Sequence, residues 1–201
     1  MAQVLKQAVR ARIEAAALHC FAHHGYGATS MAEIAAAAQT APANLYRYFT
    51  SKEALFAAVV PADLAARHDR LLDKRIAALA EGAGNSPAAA DLLEFWLDHR
   101  LAIAVLLDRA DGTPFAGYPR AFVRRLVNHA ERSLPTPALL VHQEILDLIF
   151  DNTRRALAQI LRTARDREHA RALVAAFWTY QLPGLDGLMA FIRQDIHHRH
   201  Q

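Results

Sequence analysis

The chain lacks most of what would make it a disulfide scaffold, a β protein or a membrane protein. Among 201 residues there is one cysteine, Cys20, so no intrachain disulfide can form, which suits a reducing compartment. Glycine and proline number only 8 each, too few for collagen-like or low-complexity chains. No charge-free apolar run approaches the ~18 residues that a membrane span needs. No apolar segment ahead of a small-residue cleavage site marks a signal peptide. A soluble cytoplasmic protein with no membrane partner is therefore expected. A Gly-rich phosphate loop, His-Glu-x-x-His, Gly-x-Ser-x-Gly and a cysteine pair are all missing, so nothing asks for an enzyme or a cofactor. There is also no period-2 strand pattern and no repeat of 20–50 residues.

What is present is helix. Hydrophobic residues make up 53% of the chain, with Ala and Leu dominant, enough to bury a core in one or two compact domains. The formal charge of +3 permits an anionic partner without demanding one. The first 60 residues hold five cations (Lys6, Arg10, Arg12, Arg47, Lys52) against Glu14, Glu33 and Glu53, so the basic excess is densest there.

Val9, Ile13, Ala16/Ala17 and Cys20/Phe21 set a helical stripe over 7–24, ended by Gly25 and Gly27. Ser30 and Glu33 match a capping box and open a short helix over about 31–38. Pro42 fits the first turn of a third helix that runs to about Tyr48. Ser51 can cap a fourth, with Glu53 in its first turn, and Pro61 is expected to kink or split it. Further on, "GAGNSP" reads as a linker with Ser86 as cap and Pro87 at the first helical position. A fifth helix is expected to reach about Asp108, followed by the breaker-rich "DGTPFAGYP". A sixth covers 119–133, and Thr136-Pro137 begins a long one over 138–164. The last runs over 167–182, where Pro183-Gly184 is expected to interrupt it before an apolar segment ending near Asp195.

Two short helices joined by a few residues and packed on a preceding helix make a helix-turn-helix. The alanines at 35–38 allow close approach. Phe21, Met31, Ile34, Leu45 and Phe49 fill its small core, with Leu45 and Phe49 at i, i+4. Asn44, Tyr46, Arg47 and Tyr48 must then point elsewhere. Short polar residues at a helix start reach base edges, while tyrosines, an arginine and a helix-start lysine hold phosphates.

These residues resemble the tetracycline-repressor (TetR) family of bacterial regulators. The shared pattern is Ile13, Ala16, Ala17, Phe21, Gly25, Tyr26, Thr29, Ser30, Met31, Ile34, Ala35 and Ala38. After a turn it continues with Leu45, Tyr46, Tyr48, Phe49, Ser51, Lys52, Glu53 and Leu55. The likeness spans about 45 residues and ends near residue 56. It departs from the pattern at the turn, where Gln39, Thr40 and Ala41 replace the common Gly, Val and Ser, and at Ala43, where Gly is frequent.

The resemblance implies an all-α fold: a three-helix DNA-binding domain over 1–52 and a helical effector-binding and dimerisation domain over 53–201. It implies that Thr29 and Ser30 touch phosphate, that Thr40, Pro42, Ala43 and Asn44 face the groove, and that Tyr46, Tyr48 and Lys52 grip the backbone, with Arg47 beside them. Asn44 is the best candidate for base readout. The partners implied are double-stranded DNA with a palindromic operator, a small-molecule effector, and a second copy of the chain. That copy would pair through the last two long helices, where Leu139, Leu140, Leu148, Ile149, Leu182 and Leu185 belong to wide apolar stripes. Aromatics with polar tips suggest an effector pocket at Phe95, Trp96, His99, Ile103, Phe115, Tyr118, Phe122 and His129, suited to an apolar or aromatic molecule. The expected function is a ligand-responsive regulator, a repressor in the family's usual mode. The alternatives are a metal-responsive regulator, prompted by His19/His23 and the "HHRH" tail, and a helical binding protein or enzyme without DNA function.

Overall fold

A computed structural model describes residues 2–80, 86–134 and 140–199. Among them all regular structure is helical. The elements are α1 (Ala2–His24), α2 (Met31–Ala37), α3 (Pro42–Tyr46), α4 (Lys52–Val59) and α5 (Ala62–Ala80). They continue with α6 (Pro87–Asp98), α7 (Arg100–Asp108), α8 (Tyr118–Arg132), α9 (Leu140–Thr163) and α10 (Arg167–Arg199). No helix among the described residues is long and apolar enough to cross a membrane. The linker at 81–85 and the Thr136-Pro137 start lie outside the described residues, as does Leu139.

The local chemistry explains the N-terminal boundaries. Gly25 ends α1 at φ +87°, a left-handed conformation that costs glycine nothing. Ser30 caps α2: Glu33 N–H donates to its hydroxyl at 3.2 Å, and Ser30 N–H donates to the Glu33 carboxylate at 2.7 Å. A hydroxyl in this position contributes about 1 kcal/mol. The α3 cap residue is Ala41, which has no side-chain cap, so α3 starts on the preset φ of Pro42 alone. Ser51 caps α4 by accepting from Ala54 N–H.

Two expected elements differ. The single helix over 87–108 is two, because His99 leaves helical geometry (φ −119°, ψ 29°) and serves as both the end of α6 and the cap of α7. In the other direction, Pro183 does not interrupt the last helix, and α10 runs unbroken for 33 residues. A proline removes only its own N–H bond and crowds one carbonyl. Here it sits on an exposed face, where water can serve that carbonyl. Pro61 does split its helix, separating α4 from α5.

α1 packs on α2, α4 and α7, while α9 packs on α7, α8 and α10. One hydrophobic cluster runs from Ile13, Phe21, Ile34 and Leu45 through Phe56, Ile103 and Leu107 to Leu157 and Ile192. The N-terminal helices and the bundle thus share a core, joined at Phe56 and Phe115, whose ring centroids lie 6.3 Å apart. Tyr26 N–H also donates to the Arg109 carbonyl at the end of α7, at 3.3 Å.

Candidate nucleic-acid interface

The recognition segment is oriented by two buried side chains. Leu45 and Phe49 point into the core. Pro42, Ala43 and Arg47 are exposed, Tyr46 is 51% exposed, and Tyr48 is half-buried. The start of α3 and its aromatic end therefore face solvent together. Asn44 Nδ2 donates to Thr40 Oγ1 at 2.8 Å, which fixes the amide. Ser30 is exposed beside them.

Two expected phosphate contacts have internal partners instead. Thr29 is 2% exposed, and its hydroxyl donates to the Gly25 carbonyl at 2.7 Å, satisfying a carbonyl that the end of α1 leaves open. Lys52 is half-buried: its ammonium donates to the Tyr26 and Thr29 carbonyls, both at 2.9 Å, and lies 4.3 Å from the Tyr26 ring centre. Two of its three N–H donors thus tie α4 to the α1–α2 turn. Next to it, the Tyr26 hydroxyl donates to Glu53 at 2.9 Å. Burial and that carboxylate push the Tyr26 phenol up to about 12. Contacts to its own backbone N–H, to Ser51 and to Tyr26 hold the Glu53 carboxyl below the usual carboxylate range.

The turn between α2 and α3 carries the one non-glycine residue with positive φ among the described residues, Gln39 at +51°. This is the position where the resembled pattern has glycine, so the departure seen in sequence has a conformational cost.

Of the eight residues expected to line an effector pocket, Phe95, Trp96, Ile103 and Phe122 are core residues. Phe95, Trp96, Phe122 and Tyr118 surround His68, which is fully buried and was not foreseen. His68 stacks between Phe95 and Phe122, both at 6.2 Å. Trp96 Nε1–H donates to His68 Nε2 at 2.8 Å, so Nδ1 carries the proton and donates to the Tyr118 hydroxyl at 2.7 Å. That hydroxyl donates to Asp69 at 2.7 Å. Every polar atom of the imidazole is engaged in its neutral form, and burial lowers its pKa to about 4. This network joins α5, α6 and α8. His99 packs on Phe95 at 4.7 Å and Phe115 on Phe56.

An open cavity of about 770 Å³ lies elsewhere, between α5, α8, α9 and α10. Ile76, Leu126, Phe150, Trp178, Leu185 and Met189 give it apolar walls. His129 is the one foreseen residue that lines it. Burial lowers the His129 pKa, with Arg132 adding to the effect, so its imidazole is neutral near pH 7. His19 and His23 share a face of α1 at i, i+4. The two rings stack at 4.3 Å, and among the described residues no three His, Cys, Asp or Glu side chains gather as metal ligands.

Residues 13–59 match the family described as bacterial regulatory proteins, tetR family. The match covers the N-terminal unit, α1 to α4, which carries the DNA-binding helix-turn-helix of that family of transcription regulators. Two solved structures of NalD are similar to it. NalD is described as the secondary repressor of the MexAB-OprM multidrug efflux pump in Pseudomonas aeruginosa. One is 19% identical, covering 87% of this chain and 96% of that one, with a TM-score of 0.39. The other, native NalD, is 20% identical, covering 86% and 96%, with a TM-score of 0.35. No curated protein matches the chain.

Proposed function

We propose that the chain is a homodimeric repressor that binds a palindromic operator and releases it when an apolar or aromatic molecule enters the cavity between α5, α8, α9 and α10. Residues 1–52 act as the reading unit and 53–201 as the effector and dimer unit. The observation that carries the reading is the division of α3. Leu45 is fully buried, while Pro42, Ala43, Tyr46 and Arg47 stand exposed on one surface.

Asn44 is the base reader in this proposal. Its Nδ2 has two hydrogens; Thr40 takes one, leaving the other and Oδ1 for the bidentate pattern that adenine presents. Thr40, Pro42 and Ala43 approach the groove, and Ser30, Tyr46, Arg47 and Tyr48 hold phosphates. Lys52 contributes by fixing the turn and, with its third hydrogen, the backbone.

For the dimer, α9 and α10 present Val141, Leu148, Tyr180 and Phe191 to solvent. Tyr180, Gly184, Gly187 and Phe191 form one stripe at i, i+4, i+7 and i+11. A Cβ at either glycine would meet nothing within 4 Å, which leaves space for a close crossing by a second copy. Two reading units at fixed spacing then require a two-fold operator.

Coupling has a continuous route. Ile76 and Leu79 of α5 wall the cavity; α5 meets α4 at Pro61, and α4 carries Lys52 and Glu53, which hold the α1–α2 turn. A ligand drives this only through different affinity for the two arrangements. The test is selection of bound sequences from random duplex DNA, followed by release assays with apolar and aromatic compounds. Met189→Trp should fill the cavity, keep operator binding and abolish release. Failure of the wild type to enrich any palindrome would refute the function.

A further inference from the structure

The first three turns of α1 reach beyond the helix-turn-helix core, and they are polar on one stripe. Gln3, Lys6, Gln7 and Arg10 follow each other at i, i+3, i+4 and i+7, so they share a face. All four are exposed. With Tyr48 they line a cleft of about 270 Å³. Among the described residues the lining holds two cations, two carboxamides and a phenol, and no carboxylate.

The cleft has a fixed wall. The Arg10 guanidinium lies 4.9 Å from the centre of the Phe49 ring, and its Nε donates to Glu14 at 2.8 Å. These contacts hold the α1 stripe beside the last residues of the recognition segment. Glu14 sits behind Arg10 and outside the cleft lining. Tyr48, half-buried, forms the shared boundary between the cleft and the surface presented by α3.

We propose that this cleft seats a phosphodiester of duplex DNA flanking each half-site, beyond the base pairs that α3 reaches. Lys6 supplies the charge, and Gln3, Gln7 and the Tyr48 hydroxyl supply hydrogen bonds. The inference rests on the DNA-binding reading of α3. A strand leaving the α3 surface past Tyr48 meets Lys6 next, and an ammonium, two carboxamide N–H groups and a phenol O–H can all donate to phosphate oxygens. The contact therefore adds affinity and salt dependence but no sequence preference.

The experiment measures operator affinity from about 50 to 200 mM salt for wild type, Lys6→Ala and Gln3→Ala/Gln7→Ala. Each runs on the selected operator and on a duplex trimmed of its flanks. Lys6 lies on an exposed early turn, so folding is checked by an unchanged thermal midpoint. In a dimer, Lys6→Ala removes two ionic contacts, and the slope of log K against log salt should fall by about 1.8. A fourfold rise in salt should then narrow the affinity gap between wild type and variant about twelvefold. Trimming should weaken wild type and leave Lys6→Ala nearly unchanged, and the preferred sequence should stay the same. An unchanged slope in a wild type that binds its operator tightly would overturn the seat and leave the α3 reading intact. A shifted sequence preference in Lys6→Ala would overturn it too, by making Lys6 a base reader. Absence of duplex binding by wild type would overturn both.

Discussion

His68 makes the stability of the bundle depend on pH in a way that one substitution isolates. The imidazole is fully buried, with both nitrogens engaged by Trp96 and Tyr118 in the neutral form. Burial lowers its pKa from 6.5 to about 4. Asp69, 49 residues before Tyr118 in sequence, works against that shift but does not cancel it. Between these two values the unfolded chain binds a proton that the folded chain does not. Stability from this group is therefore complete above about pH 6.5 and is lost as pH falls towards 4. Linkage gives a loss of about 2 kcal/mol between pH 7 and 5, and about 3 kcal/mol by pH 4. The assay is urea unfolding at intervals from pH 7.5 to 4.5 for wild type and His68→Gln. Glutamine retains an acceptor for Trp96 but does not titrate. It should cost about 1–3 kcal/mol at pH 7 through imperfect hydrogen bonding. The gap between the two proteins should shrink, or reverse, by pH 5. His23 and His129 also have lowered pKa values, but they are present in both proteins and cancel in the difference. A wild-type-minus-variant difference that stays constant with pH would refute the buried neutral imidazole.

Further substitutions probe other parts of the fold. Gln39→Gly should stabilise the protein by about 0.5–1 kcal/mol in thermal unfolding, because relief of the left-handed backbone exceeds the added chain entropy. Gln39→Val should lose at least ~1 kcal/mol at the same site. Leu45→Ala removes a fully buried side chain from a five-residue helix and should cost about 2–5 kcal/mol, with operator binding lost in parallel. Tyr180→Asp with Phe191→Asp should yield monomers in sedimentation at an unchanged far-UV spectrum; persistence of the dimer would reject the α9–α10 interface. Pro183→Ala should gain about 1–3 kcal/mol without altering helix content, because α10 is already continuous through this position.

The N-terminal unit was legible in sequence because its boundaries are set locally. The Ser30–Glu33 box, Pro42 at a helix start, the Ser51 cap and the Gly25 stop each act within four residues, and each is found in the structure. What sequence could not supply were contacts between distant residues. Lys52 read as a phosphate ligand alone because nothing local occupies an ammonium at a helix start; two further partners, the Tyr26 and Thr29 carbonyls, lie more than 20 residues away. The aromatics from Phe95 to Phe122 looked like a pocket because the residue that fills their centre, His68, sits on another helix. A signal for it existed. Leu64, His68, Leu72 and Ile76 recur every four residues along α5, so His68 stands on an apolar stripe and had to be buried.

Pro183 had the widest consequence. Once the last helix is stopped there, the residues after it lose their phase against those before it, and Tyr180 and Phe191 no longer share a face. Carried through the proline, the 3.6-residue period places Tyr180, Gly184, Gly187 and Phe191 along one line, turned away from the buried Val174 and Ile192. The same unbroken period puts Trp178, Leu185 and Met189 together on the cavity wall. A helix with an exposed proline thus carries the proposed dimer surface and half of the proposed effector site on two faces of one rigid rod. Any ligand that rotates α10 must then move both at once, so effector release should depend on an intact dimer. The Tyr180→Asp/Phe191→Asp monomer, if it still takes up the effector, should show no change in its residual DNA affinity on doing so.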